Sequence, residues 1–156
     1  MNRRLMIGAV STALLTAACG GETAPQGDGG GDGGETQSGA QTIDVQAEDY
    51  KFGGVPETLP AGEVTFALEN PGEEPHEFGL VLIKGDRSVE ELVSLPQKQS
   101  QKFIEMVGGT FAQPGQEGKP LTTELEAGRY GYACFVTTED GTPHAALGMF
   151  GEFTVE

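Results

Sequence analysis

The run Cys134-Phe-Val-Thr-Thr-Glu-Asp-Gly-Thr-Pro-His144-Ala-Ala-Leu-Gly-Met149 gathers a thiol, an imidazole and a thioether within sixteen residues near the end of a 156-residue chain. Such side chains are scarce here. The whole chain holds two histidines and two cysteines, and past residue 41 the only ones of these types and of methionine are His76, Met106, Cys134, His144 and Met149. Taken singly, a buried cysteine is usually a small hydrophobe, a lone histidine a satisfied polar group and a methionine core filling. Taken together they match a chemistry. Copper that cycles between Cu(I) and Cu(II) calls for soft sulfur donors together with imidazoles. Two His, one Cys and a weak axial Met is the donor set of electron-transfer copper.

The flanking pattern supplies a frame that could aim these groups. Ile43, Val45 and Ala47 alternate with polar residues, as do Val64, Phe66 and Leu68, which is the period of a half-buried strand. The segments 76–83, 121–125, 129–135 and 150–155 read as further strands. Leu59-Pro60-Ala61-Gly62, Asn70-Pro71-Gly72 and Ala127-Gly128 read as turns between them. Short strands at this spacing predict an all-β sandwich or barrel. Ser88 with Glu91 three residues on predicts a capped helical turn, and Phe103, Ile104 and Val107 suggest a second helix over 97–107. That gives a helical insertion over 88–107, with 108–118 as loop. On this reading Cys134 ends a strand, His144 and Met149 lie on the loop returning to the last strand, and His76 opens a strand after a turn. Pro75 and Pro143 each stiffen the backbone before a histidine. Met106, inside the presumed insertion, is assigned to packing, as are Tyr130 and Tyr132; Glu77 points to the other side of its strand.

At this point residues 43–156 resemble the cupredoxin (blue copper) family. Asn70 to His76 is similar to the plastocyanin-type approach to a first ligand histidine, and Gly128-Arg-Tyr-Gly-Tyr-Ala-Cys134 resembles the strand that leads to the ligand cysteine. The resemblance implies a Greek-key β-sandwich or barrel with a short helical insertion, holding one type 1 copper ion. It implies His76 and His144 as imidazole ligands, Cys134 as the short thiolate bond and Met149 as the long axial contact. It implies that His144 is the exposed edge through which electrons pass and that Asn70 braces the cysteine loop. The nine residues between Cys134 and His144 exceed the spacing of the small electron carriers and are nearer to type 1 domains of multidomain copper enzymes.

The first forty residues have a different character. A basic start, Met1 to Arg4, precedes an apolar stretch, Leu5 to Ala18, that is too short to span a bilayer as a helix and fits a signal peptide over 1–18. Leu15-Thr16-Ala17-Ala18-Cys19-Gly20 resembles a bacterial lipobox, in which Cys19 would carry lipid; an ordinary cleavage site beside an incidental cysteine is the plain alternative. Arg3-Arg4 also loosely resembles a twin-arginine export signal, so either export route remains open. Residues 20–41 hold nine glycines, four acids and one proline, so they bury nothing and read as a disordered tether. As a flexible coil such a length spans roughly 26 Å. The spacing of Asp28 and Asp32 is too glycine-diluted to suggest calcium. The domain proper is expected over 42–156.

Acids outnumber bases 24 to 9, for a formal net charge of −15. Loss of the signal segment, which has two arginines and no acid, takes it to about −17. Such a surface repels nucleic acid and favours basic partners or plain solubility. The expected function is therefore a monomeric, lipid-anchored one-electron carrier outside the cytoplasm, in the periplasm or on the outer face of the cytoplasmic membrane, exchanging electrons with redox proteins. The alternatives are a copper-binding or delivery lipoprotein and a metal-free interaction module of the same fold. An enzyme is not expected: a nucleophilic Cys134 has no accompanying oxyanion or substrate motif, and four ligands leave the metal no open position.

Overall fold

A computed structural model describes residues 41–156. The expectations for the signal segment, for Cys19 and for the tether as far as residue 40 lie outside the described residues. The chain forms β1 (Gln41–Glu48), β2 (Lys51–Gly53), β3 (Thr58–Leu59), β4 (Gly62–Glu69), β5 (His76–Ile83), α1 (Val89–Ser94), α2 (Gln97–Ser100), β6 (Ile104–Ala112), β7 (Leu121–Leu125), β8 (Gly128–Ala133), a 3-10 turn (His144–Leu147) and β9 (Phe150–Val155). Among the described residues no helix is long and apolar enough to cross a membrane.

The strands build two sheets, ordered β2-β1-β4-β7 and β3-β9-β8-β5-β6. The alternation read from the sequence decides which side chains face inward. Ile43, Val45, Ala47, Val64, Phe66 and Leu68 of the first sheet are buried against Phe78, Leu80, Tyr130, Tyr132, Phe153 and Val155 of the second. Aromatic rings dominate the contact: Phe78 stacks on Tyr132 at 5.1 Å and meets Phe66 at 5.3 Å. Tyr130 and Tyr132 are thus core residues, as expected.

The insertion covers the outer face of the second sheet. Ser88 caps α1 reciprocally: its Oγ accepts the Glu91 N–H at 3.2 Å and Glu91 Oε2 accepts the Ser88 N–H at 3.0 Å. Val89 and Leu92 then bury against Ile83 in a second, smaller cluster. The close approach requires glycine below: a Cβ on Gly131 of β8 would lie 2.9 Å from Val89 Cγ2.

Four local expectations are corrected. The second helix stops at Ser100, and Ile104 to Val107 begin β6, which runs on through Gly108 and Gly109 in place of the expected loop. As a strand the segment instead pairs along all of β5 from Ile83 to His76, absorbing one bulge at Leu80/Val81. Met106 consequently faces solvent and is 69% exposed, so it is not a packing residue. Leu59, expected in a turn, is buried at the end of β3, which pairs in parallel with β9. The sandwich also starts one residue early, since Gln41 already pairs with Val64.

Candidate metal centre

Each expected ligand is delivered by an element whose local structure fixes it. His76 is the first residue of β5, an inward-facing position, paired with Ala112 of β6. Cys134 directly follows β8; its N–H donates to the Met149 carbonyl at 3.0 Å and its carbonyl accepts the Ala145 N–H at 2.8 Å. His144 opens the 3-10 turn, and its N–H donates to the Val136 carbonyl at 2.9 Å. The turn closes at Gly148, whose φ of 104° is left-handed and suits glycine. That reversal carries the chain to Met149, whose N–H donates to the His144 carbonyl at 3.0 Å. The nine-residue loop is tied shut at its base by pairing of Thr137 with Pro143, leaving Glu139 and Asp140 exposed at its tip.

His76, Cys134, His144 and Met149 are all fully buried. His76 Nδ1 and His144 Nδ1 lie 3.1 Å apart, Cys134 Sγ lies 3.5 Å from His144 Nδ1, and the three donor atoms fall within 4.8 Å of one another. The thiol also accepts the Glu77 N–H at 3.3 Å. Burial pushes this thiol above its ordinary range, and the N–H groups of Glu77 and Val136 only partly oppose it. Met149 belongs to the central core cluster and is tied to Cys134 and His144 by backbone hydrogen bonds.

The opposite edges of both rings face carboxylates. His76 Nε2 lies 2.7 Å from Asp49 Oδ1, and His144 Nε2 lies 2.8 Å from Glu74 Oε2. An ionised carboxylate only accepts hydrogen bonds, so each Nε2 carries a proton and donates it. In the neutral ring Nδ1 is then an unprotonated lone pair. Two such lone pairs and one sulfur converge in a dry space, where without a cation or a proton they would repel. This donor chemistry fits a type 1 copper ion, a soft metal held by imidazole and thiolate.

Two implications of the resemblance are corrected by this arrangement. His144 is not an exposed edge: Glu74 caps its outer nitrogen, and the Tyr50 ring packs edge-on against it at 4.9 Å. Asn70 does not brace the cysteine loop. Its Nδ2 donates to the carbonyls of Glu74 (2.8 Å) and Ala112 (3.1 Å), and its Oδ1 accepts the Gly72 N–H at 2.9 Å. It therefore ties the loop before His76 to the residue paired with His76. Asn70→Ala leaves those groups unpaired in a buried place and is expected to cost about 1–3 kcal/mol, read as a lower urea midpoint at unchanged slope.

Asp49, Tyr50 and Glu74 were missed by sequence reasoning. Glu73-Glu74-Pro75-His76 places acids next to a candidate ligand, but nothing local indicates which carboxylate turns toward which ring.

No protein-family model and no curated protein matches the chain. Solved structures do. Auracyanin B matches with a TM-score of 0.51 at 21% identity, covering 75% of this chain and 89% of that one. Auracyanin A from Chloroflexus aurantiacus, titled a "blue" copper protein, matches at 0.50 with 23% identity over 76% of this chain and 100% of that one. The auracyanin of Roseiflexus castenholzii matches at 0.50 with 20% identity over 76% and 99%. The fold is that of the cupredoxins. Within that fold, the cupredoxin frame of this chain brings His76, Cys134 and His144 to one point and leaves Met106 on the far outer face of β6.

Proposed function

We propose that the chain is a type 1 copper protein that carries single electrons, with His76, Cys134 and His144 as equatorial ligands and Met149 as the axial one. The observation that carries this reading is the convergence of two imidazole nitrogens and one thiol, all fully buried, within 4.8 Å. Copper bound there would supply the one-electron couple. The chain's own residues supply rigidity: β5, β8 and the backbone bonds among Cys134, His144 and Met149 hold the donors against rearrangement, so oxidation and reduction require little motion. Rigidity also favours a carrier over a delivery protein, because the long Cys–His loop is closed at its base and both ring edges are covered. No position is left for substrate, which supports a carrier over an enzyme.

Lipidation at Cys19 would hold the carrier outside the cytoplasm, and the auracyanins, one of them titled a blue copper protein, lend the copper assignment support by likeness. A negatively charged rim of Glu74, Glu139 and Asp140 beside the exposed Leu147 suits a basic redox partner with a small apolar contact.

The test is visible absorption of the full chain on addition of one equivalent of Cu(II). An intense thiolate-to-copper band, absent in Cys134→Ser, is the expected result. A folded chain that binds Cu(II) without that band would overturn the reading.

A further inference from the structure

The inner half of the site is accounted for by the proposed ligands, but the outer half is built with as much care. Asp49 comes from the β1–β2 connection and Glu74 from the loop before β5, and each carboxylate ends on the outer nitrogen of a fully buried imidazole. Their side chains are themselves only 28% and 32% exposed. Each is fixed by further donors. Asp49 Oδ2 accepts the Glu73 N–H at 3.0 Å and its Oδ1 the Glu74 N–H at 3.4 Å. Glu74 Oε1 accepts the Tyr50 hydroxyl at 3.1 Å, while Asn70 holds the Glu74 carbonyl. The packing leaves no slack: a Cβ on Gly72 would lie 2.5 Å from Asp49 Oδ1 and 3.1 Å from Asn70 Oδ1. Four segments are thus laced together around two ring edges.

Resting on the copper reading above, we propose that Asp49 and Glu74 are paired positioning residues, one for each histidine. They fix both rings with N–H outward and lone pair inward, and their charges favour Cu(II) over Cu(I). The first effect follows from acceptor-only carboxylates. It turns both Nδ1 atoms into ready ligands before metal arrives. The second follows from Coulomb's law in a dry site: a negative charge behind each imidazole stabilises the dication more than the monocation. Outer partners of metal-bound histidines typically contribute 10–100-fold in metal affinity. The two carboxylates therefore set the couple toward a lower reduction potential than the four ligands alone would give.

The test separates the two effects and separates both from the copper reading. In the full chain, Asp49→Asn and Glu74→Gln keep an oxygen acceptor but remove the charge. Each is expected to lower the Cu(II)-to-Cu(I) affinity ratio about tenfold, a rise in potential of about 59 mV for a one-electron couple. The blue band should persist. Asp86→Asn serves as control, since the same charge lost from the exposed turn at the far end of β5 is screened by solvent. Asp49→Ala and Glu74→Ala remove the acceptor, and long-range proton–nitrogen NMR of the metal-free chain should show the facing ring losing its single N–H-outward form. Parent-like potentials in the Asn and Gln variants, or shifts no larger than the control's, would overturn the charge effect. Unchanged ring tautomers in the metal-free alanine variants would overturn the positioning effect. A parent chain lacking the thiolate band would instead remove the copper reading and the charge effect with it, leaving the metal-free NMR to decide the tautomer lock.

Discussion

Phe78→Ala is expected to lower the unfolding free energy of the metal-free chain by about 3–5 kcal/mol, the range for truncating a fully buried aromatic. Phe78 is the second inward residue of β5 and has no exposed surface. Its ring stacks on Tyr132 at 5.1 Å and meets Phe52 edge-on at 5.4 Å and Phe66 at 5.3 Å, so three neighbours line the space it would vacate. Those neighbours are anchored on both sheets and cannot all collapse inward, which keeps the cost high. For a domain of ordinary stability, about 5–15 kcal/mol, the loss is a large share of the total. The same β5 begins at His76, so the variant should also hold copper less firmly. Denaturant unfolding checks the first claim and chelator competition the second. Phe135→Ala, which removes an equally large but exposed ring beside Cys134, should change stability by less than about 0.5 kcal/mol. Equal losses in the two variants would mean that the inter-sheet aromatic cluster is not the mechanical centre of the fold.

That cluster was legible in the sequence, because a half-buried strand writes its inward face as every second residue. Val45, Phe66, Phe78, Tyr132 and Phe153 all lie where alternation puts them. β6 was not legible. Phe103, Ile104 and Val107 sit at helical spacing, and Gly108-Gly109 resembles a loop; only the unpaired edge of β5, distant in sequence, makes the segment a strand. Met106 changed sides with it. At the metal centre, His76, Cys134 and His144 could be picked out because such residues are rare in this chain. Asp49 and Glu74 could not, because they are two of 24 acids and a carboxylate's partner is a tertiary fact. For the same reason Asn70 was recognised as a brace while the peptide groups it holds were misassigned. Scarcity in the sequence points to candidate ligands; it does not reveal what stands behind them.

Alkaline pH should expose the Cys134 thiol through two effects of opposite sign. Burial holds this thiol above its ordinary value, with the charge of Glu77 adding to the rise and two backbone N–H groups failing to cancel it. In the unfolded chain it titrates near the usual value of about 8.5. Below that pH both states keep the proton and Cys134 contributes nothing to the slope. Above it the unfolded chain releases the proton and the folded chain retains it, so the folded state binds more protons and stability falls as pH rises. The slope is about 1.4 kcal/mol per pH unit until the folded thiol itself titrates. Tyr130 and Tyr132 are also held up by burial, but their ordinary value near 10 confines their effect to higher pH. The window from about 8.5 to 10 therefore belongs to Cys134. Metal reverses the sense. Binding as thiolate expels the proton, so this group alone makes copper affinity climb about tenfold per pH unit below the folded thiol's value. Urea midpoints of the metal-free chain at stepped pH, with Cys134→Ser alongside, test the first half; chelator competition over the same steps tests the second. A flat metal-free profile, or one whose slope survives in Cys134→Ser, would show that the thiol is not held protonated by its surroundings. The expected pattern, metal-free stability falling while copper affinity rises, needs a single buried proton that copper must displace.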